Sequence, residues 1–65
     1  MEKKMAIKVS NILFNIEESE KAIDALKGLK NNIEINNQEI IDIIDDAINK
    51  INEYQIKKEN ELKAL

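Results

Sequence analysis

The chain has 65 residues, ten Lys against thirteen Asp and Glu, a formal net charge of −3, and no Cys, His, Arg, Pro or Trp. Disulfides are excluded, the usual nitrogen and sulfur ligands of transition metals are missing, and Ser10 and Ser19 have no imidazole to activate them. One Gly, Gly28, cannot build a phosphate-cradling loop, so no catalytic, cofactor-binding or metal-ligating residues are expected.

The first predicted element is a helix over about residues 5–30, with a start anywhere between Lys3 and Ser10. Met5, Val9, Ile12, Ile16, Ser19, Ile23 and Leu26 step by threes and fours, which puts them on one helix face. Ser19 is the polar member of that face, and the expectation is that it bonds back to its own helix or sets the register between helices. Gly28 interrupts the end of the helix and suggests fraying or a close approach by a partner helix. Asn31 and Asn32 tolerate the left-handed conformation that closes a helix. A second boundary stays open. Asn15 followed by Glu18 also resembles a capping box, and the alternation of Met5, Ile7 and Val9 suits a short strand over residues 5–14. Such a strand needs a partner, and Ile33-Glu34-Ile35 is the segment on offer.

A turn over residues 31–35 leads to a second helix, over residues 36–56. Asn36 is expected to cap it, with Glu39 reaching back to the cap amide and Ile35 packing on Ile40. Its stripe runs Ile40, Ile44, Ala47, Ile51 and Tyr54, and Ile41, Ile48 and Ile43 widen it. After Gln55 the pattern decays, so residues 57–65 are expected to be a frayed tail. The short connection makes the helices antiparallel neighbours. The chain therefore reads as one all-α domain over residues 1–65, a two-helix antiparallel hairpin.

A chain of this size is marginal on its own core, and with neither disulfide nor metal the remaining support is self-association. The wide apolar stripe asks for more than one facing helix; a homodimeric four-helix bundle meets that demand most economically, and a heteromeric complex would meet it too. In length and pattern this architecture resembles Rop, the small plasmid RNA-binding regulator. The resemblance carries no shared residue motif, and no functional residue is transferred from it.

Two surfaces are candidates for partner binding. Glu39, Asp42, Asp46, Asn49 and Glu53 form one ridge opposite the stripe, and Ile7 and Phe14 sit one heptad apart on the far side of the first helix. The ridge suits a basic groove, although acids near a helix start and on a solvated face are also ordinary. Lys3, Lys4 and Lys8, with Lys50, Lys57, Lys58 and Lys63, make the terminal end basic. A Rop-like reading would use that end to bind RNA or DNA. Against it stand the net negative charge, the lack of Arg, and only Phe14 and Tyr54 for stacking.

No stretch approaches the ~18 apolar residues that span a bilayer, and the apolar run after the N-terminal lysines is broken by Lys8, Ser10 and Asn11. A cytoplasmic protein is expected. Ile, Lys, Asn and Glu account for 41 of 65 residues, all types with AT-rich codons, which points to a low-GC bacterium or its phage. The expected function is a small non-enzymatic regulator or inhibitor that binds a protein, such as a phage or mobile-element accessory that blocks a host nucleic-acid enzyme or defence complex. The alternatives are the Rop-like nucleic-acid regulator and a structural or chaperone-like coiled-coil subunit.

Overall fold

The computed structural model describes residues 2–32 and 34–65. Two helices, α1 (Glu2–Lys30) and α2 (Gln38–Lys63), pack against each other as an antiparallel hairpin. The Cα atoms span 52 × 15 × 11 Å, a rod one layer thick. Residues 5–14, for which a strand was the open alternative, are helical. Ile33, part of that strand's expected partner, lies outside the described residues.

On α1 the expected face packs. Ile12 and Ser19 are buried, and Val9, Ile16, Ile23 and Leu26 are half-buried. Met5 is the exception at 47 % exposed. The contacts Ser19–Gln55 and Lys30–Asp45 fix the register, and at the level of Met5 that register runs past the end of α2.

On α2 the seam lies one residue further round than expected. Of the expected stripe Ile44 is buried and Ala47 and Ile51 are half-buried, as are Ile41, Ile48, Gln55 and Leu62, whereas Ile40 and Tyr54 are exposed at 45 % and 42 %. Neighbouring pairs such as Ile40–Ile41 and Ala47–Ile48 offer two helical faces with the same spacing. The buried Ser19 hydroxyl bonds back to the Ile16 carbonyl at 2.6 Å, and across the seam it is Gln55, not Tyr54, that lies against it, with Oε1 at 3.0 Å.

The helix start is also displaced by one residue. Asn37, in an extended conformation, caps α2, and its Oδ1 accepts from the Glu39 amide at 2.9 Å and the Ile40 amide at 3.4 Å. Asn36 is therefore not the cap, and Glu39 falls at the second helical position, too early for the expected capping box. The Ile35–Ile40 staple loses its spacing for the same reason. The connection runs to Asn37. Asn32 organises it: its side chain accepts from the Glu34 amide at 3.0 Å and its carbonyl from the Ile35 amide at 3.1 Å. No described residue has a positive φ. α1 closes not through a left-handed Asn but through a tightened last turn, with the Asn32 amide bonded to the Leu29 carbonyl.

The expected frayed tail is helix through Lys63. Alongside the stretch of α1 around Ile12 and Asn15, Lys58, Glu59, Glu61 and Leu62 are half-buried. Gln55 Nε2 donates to Glu59 Oε1 at 3.2 Å, and Lys58 Nζ lies 3.1 Å from Glu61 Oε2, which supports these turns locally. Gly28 meets no partner helix: a Cβ there would have open space around it.

Candidate functional site

The hairpin presents surfaces, not a cleft. Among the described residues no group of three or more Asp or Glu gathers in metal-binding geometry. No helix of the described residues is long and apolar enough to cross a membrane.

The first surface is the outer face of α2. Helical spacing turns Glu39, Asp42, Asp46, Asn49 and Glu53 away from the Ile41–Ile44–Ile48–Ile51 seam, and all five are exposed. Their mutual repulsion is only lightly offset. Asp46 pairs with Lys50 at 3.2 Å, and Gln38 Nε2 donates to Asp42 Oδ1 at 2.9 Å, both fully at the surface. Asp45 is turned the other way and joins Lys30 of α1 at 2.7 Å. Ile43 stands on the ridge's flank, four residues after Glu39 and three before Asp46, and is 68 % exposed. The sequence places Ile43 at the edge of a wide stripe; only the direction of the seam reveals that it faces solvent.

The second surface is the outer face of α1. Ile7 and Phe14 are both there, 61 % and 59 % exposed, and Leu13 lies beside them at 49 %. Ala6, Val9, Ser10, Leu13, Phe14 and Glu17 line a shallow open groove. Leu13 and the groove were not among the sequence candidates. Their signal is the continuation of apolar positions round α1, which the stripe alone does not use. The two surfaces are not brought together: the acidic ridge starts at the turn end, and Ile7 and Phe14 sit toward the chain termini.

The terminal end is less open to a polyanion than its lysine count suggests. Lys58 packs 5.5 Å from the Tyr54 ring centroid besides its contact with Glu61. Glu61 also lines the groove there with Lys8, Asn15, Lys58 and Leu65, so a carboxylate sits among the lysines of this end.

No family model, curated protein or solved structure matches the chain.

Proposed function

We propose that this protein is a small non-enzymatic regulator that works by binding another protein, and that it does so as a homodimer in which two hairpins bring four helices together. One observation carries the reading. Among the described residues only Ile12 and Ile44 are buried apolar residues, while ten large apolar side chains are more than 40 % exposed. A monomer with so little interior and so much apolar surface is built for contact.

The acidic ridge with Ile43 at its flank is the face we assign to the partner. Its charge selects a basic counterpart and speeds encounter, and Ile43 supplies apolar area that charge alone lacks. A nucleic-acid-handling protein with a basic groove is the class of partner such a ridge would suit.

The test is a paired capture from a nuclease-treated lysate of a low-GC bacterium, with the unaltered chain and with Asp42→Lys/Asp46→Lys. The expected result is one stoichiometric protein retained by the first and lost by the second, with equal helicity in both. Equal capture by both would remove the ridge as the binding face, and capture that depends on nucleic acid would remove the protein-directed reading.

A further inference from the structure

The first half of α1 is apolar on more of its circumference than the seam with α2 occupies. Ile12 and Ile16 face α2, but Ile7, Leu13 and Phe14 point elsewhere and are exposed. A helix apolar over more of its circumference than one neighbour covers, with Lys4, Lys8, Asn11 and Asn15 making only a narrow polar sector, suits a second packing partner.

The order of residues along the outer face names what covers it. At 3.6 residues per turn, Lys3, Ala6, Ile7, Leu13, Phe14 and Glu17 all fall within about 60° of Ser10. Their offsets from Ser10 are −7, −4, −3, +3, +4 and +7. The spacing is symmetric about Ser10, and the charge is antisymmetric, with Lys at one end and Glu at the other. A second α1 laid antiparallel across this face sets the Ala6–Ile7 step of each chain level with the Leu13–Phe14 step of the other. The two Ser10 side chains then meet at the centre, where a small residue allows close approach of the axes. Lys3 of each chain comes beside Glu17 of the other at both ends. A parallel pair would instead set Lys3 against Lys3 and Glu17 against Glu17. Glu17 is free to make the exchange, since its present partner is Lys21 in an exposed pair at 3.4 Å.

The surface area points the same way. A compact monomer of 7.5 kDa exposes about 4,200 Å², whereas this chain exposes 5322 Å². The excess, about 1,100 Å², is comparable to the ~800 Å² that each partner buries in a stable interface.

We propose that the outer face of the first half of α1 is a self-association surface, on which a second copy docks antiparallel through its own α1, centred on Ser10. This rests on the homodimer reading above and adds to it the face and the direction.

The chain has no Cys, so single introduced thiols report the geometry cleanly. The native mass of the unaltered chain, from light scattering, is expected to be that of two chains. Under mild oxidation Ser10→Cys is expected to cross-link to itself. Lys3→Cys alone is not, but an equimolar mixture of Lys3→Cys and Glu17→Cys is. Phe14→Asp, at an exposed position that leaves the hairpin seam intact, is expected to keep its helicity and raise the dimer dissociation constant about a hundredfold. Lys3→Cys cross-linking to itself as readily as Ser10→Cys would overturn the direction. A Phe14→Asp variant with an unchanged dissociation constant would overturn the face and leave the homodimer standing. A one-chain mass for the unaltered protein would overturn both.

Discussion

Ser19 and Gln55, 36 residues apart in sequence, are joined across the seam by a hydrogen bond of 3.0 Å between Ser19 Oγ and Gln55 Oε1. The same hydroxyl lies 2.6 Å from the Ile16 carbonyl, so its one proton faces two acceptors. Ser19 is 4 % exposed, deeper than either Ile12 or Ile44. Any other register would leave a buried hydroxyl without its cross-helix partner. Ser19→Ala is expected to cost about 1 kcal/mol in urea unfolding, and Ser19→Ala combined with Gln55→Leu to recover most of it, because replacing both partners with apolar groups strands neither. A double variant less stable than Ser19→Ala alone would show that the pair is not the source of the loss.

Asn36 and Asn37 separate the two possible starts of α2. Only the Asn37 side chain accepts from helix amides, those of Glu39 and Ile40. Asn37→Ala is expected to lower stability by about 1 kcal/mol, and Asn36→Ala to leave the denaturation midpoint nearly unchanged. The reverse order would return the cap to Asn36.

Gly28 is a helical residue with open space where a side chain would go and no positive φ to protect. Gly28→Ala is expected to stabilise the chain by about 0.5–1 kcal/mol through helix propensity, which in a domain of this size raises the melting temperature by about 2–8 °C. A lower melting temperature would mean that something packs on this face in solution.

Ile44 is the one buried apolar residue of α2. Ile44→Asp puts a charge into the buried seam against α1 and is expected to unfold the hairpin at neutral pH as read by circular dichroism. Full helicity and an unchanged native mass would show that the seam does not hold the molecule together.

The hairpin itself is legible because the α1 face has one apolar solution that runs the length of the helix, through Ile12, Ile16, Ile23 and Leu26. The α2 face does not. Ile40 and Ile41, Ile43 and Ile44, Ala47 and Ile48 are adjacent pairs, so two stripes with identical periodicity coexist, and only packing against Ser19 chooses between them. Doubled Asn residues make the cap ambiguous in the same way, since either side chain can reach the amides that follow it. The helical tail is not legible because Lys57 to Glu61 reads as solvated by composition; beside Ile12 and Asn15 of α1 the aliphatic stems of Lys58, Glu59 and Glu61 become packing material. The acidic ridge could be placed from spacing alone, because it lies opposite both stripes. The symmetry about Ser10 could not, because it exists only if residues 3–17 form one continuous helix.

Seen along its length, the 52 Å rod is a zipper hinged at one end. Lys30 and Asp45, beside the turn, close a loop of about fifteen residues, and each doubling of loop length beyond that costs about 0.6 kcal/mol in chain entropy. The clasp nearest the termini thus closes last and opens first. That loose end carries Ile7, Leu13 and Phe14. A second copy gripping there would finish the closure that the single chain leaves weakest, so the melting temperature would climb with protein concentration, and dilution would unzip the molecule from its ends inward.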